Sequence, residues 1–258
     1  MTDHLRDFEL LTDIAFRRVK ETTENIFIAE GLLTIERALA AGHVVRAVAT
    51  SEKWLQRLSE LSIPEKHIHV LRDEEIEQVV GYRVHRGALA SFDRPAALSL
   101  RSVLDGATRI VVLESLVDHE NVGTLLRSAT ALGLDAVLLT DDCADPWYRR
   151  SIKASMGTVF RSHFAIASKS DVAAHLENAG FISVALTPYA EEDLKDTLKR
   201  VSPQSRIALW LGSEGPGLSD YALESATFRS KITMYQDIDS LNVAAAGAIA
   251  FWALGQRG

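Results

Sequence analysis

Apolar residues recur along the 258-residue chain with two different periods. Within residues 5–20, Leu10, Leu11, Ile14 and Val19 fall on one helical face. Leu32, Leu33, Ile35, Ala38 and Leu39 repeat that spacing over 31–41, and Gly42 closes the predicted helix. Strands are expected at 44–50, 67–71 and 88–92, with a helix at 51–61 and another from an Asp73 N-cap to Val80. Beyond residue 100 the alternation is cleaner. Strands are expected at 109–113, 135–139, 164–167, 181–186, 206–211 and 229–233, and helices at 122–132, 147–156, 171–179, 191–200, 220–225 and 243–254. Runs such as Ile110-Val-Val-Leu113 and Ile207-Ala-Leu-Trp-Leu211 are apolar on both faces, as buried parallel strands are. The pattern is a doubly wound α/β fold, whose ligands sit beyond the carboxyl ends of its strands. Turn chemistry at Asp93-Arg-Pro95 sets a boundary. It separates a small α/β domain over 1–97 and a linker over 98–106 from a larger α/β domain over 107–258.

Three loops of the larger domain combine small and polar residues where ligands are expected. The first follows strand 109–113 and runs through Asp118-His-Glu-Asn-Val-Gly-Thr-Leu-Leu-Arg127. Asn121 is expected to cap a helix with a buried stripe of Val122, Leu125, Leu126, Ala129 and Leu132, ended by Gly133. Arg127 interrupts that stripe, either as a surface arginine or as one reaching back toward the strand ends. The second loop is Leu211-Gly-Ser-Glu-Gly-Pro-Gly-Leu-Ser219, with Glu214 set among three glycines. It is neither a dinucleotide fingerprint, a phosphate loop nor a hydrolase elbow. The third runs from Ile232 to Ser240-Leu-Asn242 and into a helix of very small residues. Ser240 or Asn242 would serve as an ordinary helix cap, yet both flank a leucine at the mouth of the sheet.

Composition narrows the class. With 47% hydrophobic and 24% charged residues the chain is globular rather than disordered. No apolar run reaches ~18 residues, so no transmembrane helix is expected. The opening MTDHLRDFEL has no apolar signal core, so no secretory signal is expected either. The single cysteine, Cys143, forms no internal disulfide and fits a reducing cytoplasm. A net charge of −7 argues against holding nucleic acid by bulk attraction.

In this order, the three loops resemble the three motifs of the SpoU/TrmH family of RNA ribose 2′-O-methyltransferases, within the SPOUT superfamily. Asn121, Gly123, Arg127 and Ala129 match the first motif. Leu211, Gly212, Glu214, Gly215, Gly217 and Leu218 match the second. Ile232, Met234, Ser240, Leu241, Asn242, Val243, Ala246 and Ile249 match the third. Asp145-Pro-Trp-Tyr148 and Lys153–Phe160 resemble the segment between the first two motifs. Phe27–Gly31 and Arg86–Ala90 resemble the family's N-terminal substrate-binding domain, a small fold like that of certain ribosomal proteins. Two positions depart from the pattern. Thr233 stands where the family usually has proline, and Asp118-His-Glu-Asn121 replaces the commoner Asp-Pro-x-Asn.

The resemblance implies a SPOUT-type parallel sheet with a C-terminal trefoil knot, preceded by the small α/β domain. It implies S-adenosylmethionine as cofactor, with Leu186, Thr187, Leu211, Gly212, Gly217, Ile232, Met234 and Leu241 lining its site. It makes Arg127, Asn121, Glu214, Ser240 and Asn242 the catalytic set. Because an arginine deprotonates only above ~pH 12, we read Arg127 as a bidentate phosphate ligand that orients the ribose hydroxyl, rather than as the base. Asn121 and Glu214 are expected to hold Arg127 or the loop, and Ser240 and Asn242 to contact acceptor or methionine groups.

Partners follow from the same reading. The expected substrate is ribosomal or transfer RNA, and homodimerisation is expected through the last helix. Between Pro146 and Ser170 there are basic residues and no acidic ones. Arg149, Arg150, Lys153 and Arg161, beside Trp147 and Tyr148, are candidate RNA contacts, and Arg17 and Arg18 form a second set. His67 and His69 share a strand face without a third ligand, so no metal is expected. The alternative functions are a catalytically silent RNA-binding protein on the same fold and, with less support, a dinucleotide-dependent oxidoreductase.

Overall fold

The computed structural model describes residues 3–9, 11, 12, 21, 23–82, 87–236 and 239–255. Arg17 and Arg18, most of the helix expected over 5–20, and Arg86 lie outside the described residues. In chain order the elements begin with β1 (Ile26–Glu30), α1 (Leu32–Ala40), β2 (Val45–Thr50), α2 (Glu52–Ser59), β3 (Ile68–Val70), α3 (Asp73–Val80) and β4 (Ala88–Asp93). They continue through α4 (Leu100–Leu104), β5 (Arg109–Leu113), α5 (His119–Ala131), β6 (Ala136–Thr140), α6 (Arg149–Ala154) and β7 (Phe164–Ala167). They end with α7 (Lys169–Asn178), β8 (Phe181–Leu186), β9 (Glu192–Asp193), α8 (Leu194–Arg200), β10 (Arg206–Leu211), α9 (Asp220–Ser225), β11 (Phe228–Lys231) and α10 (Val243–Gly255).

These elements form two compact units. The first comprises residues 1–96 together with 147–160, and the second comprises 97–146 with 161–258. The second unit is therefore not continuous from residue 107, as the sequence pattern had suggested. Segment 147–160 belongs to the first unit because its aromatic rings do. Trp147 and Phe160 lie 5.2 and 5.3 Å from the Phe27 ring, and His43 lies edge-on to all three.

The first unit has a four-stranded sheet in the order β1-β4-β2-β3. Strand alternation explains its two faces. Ile26 and Ile28 join Phe8, Leu11, Ile76 and Val80 in one core, while Phe27 turns to the aromatic cluster. Asp73 is the first helical residue of α3 rather than its cap. The cap is Arg72, whose backbone N–H donates to Glu75 Oε2 at 2.9 Å.

The second unit has a seven-stranded sheet in the order β7-β6-β5-β10-β8-β11-β9, with every pairing parallel. Its middle strands β5 and β10 are buried beyond their first residues, and Ile110, Val112, Leu138, Ala208 and Trp210 lie in one core. At the amino ends of the strands the Arg206 guanidinium donates to the carbonyls of Leu104, Ala107 and Ala179, which closes that edge. The carboxyl edge carries the loops.

Candidate functional site

The second unit holds a cavity of about 380 Å³ beyond the carboxyl ends of β8, β10 and β11. Leu186 and Thr187 reach it from β8, Leu211, Gly212 and Gly217 from the loop after β10, Ile232 and Met234 from beyond β11, and Leu241 from the approach to α10. The eight residues singled out for the cofactor thus line one cavity, with Glu214 and Ser240 beside them. The glycine loop folds tightly on itself. Gly217 N–H donates to Ser213 O at 3.1 Å, and Gly217 has φ +74°. A Cβ on Gly212 would overlap the backbone of Gly217 and Leu218, so only glycine closes the turn.

The cavity fits an adenosine-type ligand in size and chemistry. Leu186, Leu218, Leu241 and Val243 supply apolar walls, and the loop supplies backbone polar groups. Ser213 Oγ is buried and has no hydrogen-bond partner among the described residues. A buried hydroxyl left open in a cavity wall is a donor and acceptor awaiting a ligand.

The three motifs meet on one side chain. Asn242 Nδ2 donates to Glu214 Oε1 at 2.5 Å and to Asn121 Oδ1 at 3.2 Å. Asn242 Oδ1 accepts from the N–H groups of Ala244 and Ala245 at 3.0 and 3.3 Å, satisfying orphan donors at the start of α10. Asn121 is free for this role because it does not cap its own helix, as had been expected. Asp118 does: its carboxylate accepts from Glu120 N at 2.6 Å and Asn121 N at 3.0 Å, which starts α5 at His119.

Arg127 is exposed on α5 and bonds no described residue. Asn121 and Glu214 therefore hold Asn242 and the loop, not the arginine. Ser240 is exposed at the cavity.

The basic residues separate. Arg149, expected among the RNA contacts, is engaged within the protein. Its guanidinium pairs with Glu30 at 3.3 Å, bonds the Tyr82 hydroxyl and lies 4.6 Å over the Tyr82 ring, all inside the first unit. Burial, partly offset by that arginine, pushes the Tyr82 hydroxyl well above its ordinary range. Trp147 and Tyr148 are likewise packed rather than presented. Arg150, Lys153 and Arg161 remain exposed without partners among the described residues.

Thr233 does more than replace a proline. Its N–H and hydroxyl donate to Asp193 Oδ2 at 3.2 and 2.5 Å, and Asp193 Oδ1 caps α8 by accepting from Lys195 N at 3.0 Å. Burial alone would raise the Asp193 pKa, but the bonds from Thr233 and Lys195 outweigh it and hold it below the usual carboxylate range. Burial pushes the Cys143 thiol up, and its Sγ donates to Leu113 O at 3.2 Å, so it is a structural group. Among the described residues no three His, Cys, Asp or Glu side chains gather as for a metal. No described helix is long and apolar enough to cross a membrane.

This is a ligand cavity at the carboxyl edge of a parallel sheet, ringed by a polar set from three loops. The profile of the SpoU rRNA Methylase family matches residues 108–252. An uncharacterized tRNA/rRNA methyltransferase of Mycobacterium tuberculosis is 36% identical over 251 residues, covering 96% of this chain and 87% of that protein. The 23S rRNA (guanosine(2553)-2′-O)-methyltransferase RlmP of Bacillus subtilis is 26% identical over 246 residues, 91% of this chain and 90% of RlmP. The SpoU methyltransferase AviRb from Streptomyces viridochromogenes, solved with its cofactor AdoMet, shares the fold with a TM-score of 0.82 at 20% identity. That match covers 99% of this chain and 98% of AviRb.

Fold and site thus define a methyltransferase, with S-adenosylmethionine as the methyl donor. The chain belongs to the SpoU rRNA methylase family.

Proposed function

We propose that this chain methylates a ribose 2′-hydroxyl of ribosomal or transfer RNA, with the donor held in the 380 Å³ cavity. The convergence of three motif loops on Asn242, beside that cavity, is the observation that carries this reading. Ribosomal RNA is the first substrate to test, since the B. subtilis relative is named for it. The donor supplies an electrophilic methyl group. Leu186, Thr187, Leu211, Gly212, Gly217, Ile232, Met234 and Leu241 hold it, largely through backbone groups and apolar contact. The trefoil knot implied by the family would wrap the second and third loops around it.

The Arg127 guanidinium, without a partner among the described residues, is suited to grip a phosphate of the target nucleotide bidentately and so align the hydroxyl. The hydroxyl proton then leaves to a phosphate oxygen or water. Asn121, Glu214 and Asn242 fix the loop geometry, and Ser240 contacts the acceptor. Arg150, Lys153 and Arg161 supply phosphate contacts, and Tyr189, 93% exposed at the cavity, offers a ring for stacking on an unpaired base. The chain acts as a homodimer in the cytoplasm. Supporting the dimer, α10 carries no charged residue, and Ala245, Ile249 and Trp252 form an exposed apolar face on it.

The test is incorporation of labelled methyl groups into ribosomal RNA from cells lacking the gene, with the 2′-O-methyl site mapped. Cofactor binding without incorporation into any cellular RNA would favour the silent RNA-binding alternative. Arg127→Lys is expected to lose most of its single-turnover rate at saturating RNA. Retention of that rate would sink the bidentate role.

A further inference from the structure

Glu114, one residue beyond β5, is 1% exposed and lies outside the three motif loops' matched positions. Its backbone N–H donates to Leu211 O at 2.8 Å. Its carboxylate accepts twice from one residue: Ser219 N–H donates to Oε2 at 3.0 Å, and the Ser219 hydroxyl to Oε1 at 2.6 Å. Lys169 Nζ lies 2.5 Å from the same Oε1. Ser219 Oγ also accepts from Ala222 N at 3.2 Å, capping α9.

A buried carboxylate is costly unless it is paired and hydrogen-bonded, and this one is both. Its choice of partner carries the meaning. Ser219 is flanked by cavity residues, Gly217 and Leu218 on one side and Asp220 and Leu223 on the other. Any shift of Ser219 displaces the wall on both sides. The glycine loop is thus held at two points. Its first end is anchored by the parallel pairing of β10 with β5, and its far end by Glu114. Lys169 opens α7, so the carboxylate joins three segments at the carboxyl edge of the sheet.

We propose that Glu114 is a positioning residue for the methyl donor: through Ser219 it fixes the 212–223 wall of the cavity, with Lys169 offsetting its buried charge. The proposal rests on the reading that this cavity holds S-adenosylmethionine. It is tested by calorimetric binding of S-adenosylhomocysteine to the full chain and to Glu114→Gln, Ser219→Ala, Lys169→Met and the Glu114→Gln/Lys169→Met double variant.

Loss of one charge-assisted hydrogen bond in Ser219→Ala should raise Kd about tenfold. Glu114→Gln should weaken binding similarly, because an amide cannot accept from both Ser219 donors in the same way. Lys169→Met strands a buried charge, so the double variant should bind more tightly than Lys169→Met alone. In methylation assays the donor KM should rise while kcat at saturating donor stays within about twofold. If Glu114→Gln fails to fold, Ser219→Ala, whose side chain is only partly buried, decides the matter. Unchanged Kd values accompanied by lower melting temperatures would show a merely structural anchor and overturn the proposal. Failure of the wild-type chain to bind S-adenosylhomocysteine would overturn both this and the functional reading. A shift confined to the variants separates the two.

Discussion

Asn242 carries two loads that substitution can separate. Its oxygen caps α10 through Ala244 and Ala245, and its amide nitrogen joins Glu214 and Asn121. Asn242→Ala removes both. The cap is worth about 1 kcal/mol. The two side-chain bonds lie among exposed groups, so we discount them to roughly 1 kcal/mol together. A loss of about 2 kcal/mol corresponds to a fall of roughly 4–8 °C in melting temperature for a unit of this size. Asn242→Asp keeps the cap, since a carboxylate at a helix N-terminus is favoured by the helix dipole. It replaces the amide donor with a second carboxylate beside Glu214 and faces the Asn121 carbonyl, so the trio must open. Thermal unfolding and single-turnover methylation of ribosomal RNA distinguish the loads. Asn242→Ala should lose stability and activity, whereas Asn242→Asp should keep most stability and lose activity. An Asn242→Asp enzyme with the wild-type single-turnover rate would refute the role assigned to the trio. An unshifted melting temperature for Asn242→Ala would refute the cap.

Other outcomes follow from the same geometry. Gly212→Ala puts a methyl into the backbone of Gly217 and Leu218. It should weaken S-adenosylhomocysteine binding by about two orders of magnitude, roughly the 3 kcal/mol of an overpacked site, as calorimetry would show. Arg149→Ala should lower the melting temperature by removing a half-buried ion pair and ring contact, with RNA affinity changed little once folded. Arg150→Ala should do the reverse, read by RNA titration at two salt concentrations. Thr233→Val removes the hydroxyl bond to Asp193. Because the folded-state pKa of Asp193 is depressed, the stabilisation is present above the ordinary aspartate pKa of about 4 and is lost as pH falls through the folded value. The gap in melting temperature between wild type and variant should therefore be full at pH 6 and shrink progressively as the pH falls below the ordinary aspartate range; a constant gap would count against the clamp.

Much of this arrangement is legible along the chain, and the limits are physical. Uniformly apolar runs such as 207–211 announce buried parallel strands, and β5, β6 and β10 of the second sheet are built from them. The glycine loop is legible because a turn that closes on its own backbone excludes Cβ atoms. Helix starts are less legible. Asp118 and Asn121 are both good caps by type, and the choice falls to Asp118 because its carboxylate reaches two N–H groups. Arg149 read as an RNA ligand because its neighbours are basic, but its partners Glu30 and Tyr82 are 119 and 67 residues away. Glu114 and Ser219 are 105 apart, and no local period records such a bond. The strand expected over 229–233 ends at Lys231, since Thr233 gives its N–H to a carboxylate rather than to a strand neighbour.

The interleaved boundary of the two units bears on how such enzymes can be recombined. The first unit is completed by Trp147 and Phe160, which the ribosome adds only after β5 and β6, two of the seven strands of the parallel sheet, have been made. A fragment ending near residue 97 leaves the Phe27 face without two of its aromatic neighbours. A chimera that exchanges the first unit for that of a relative must therefore transplant two stretches of chain, and a single crossover would leave the Phe27 aromatic cluster half built.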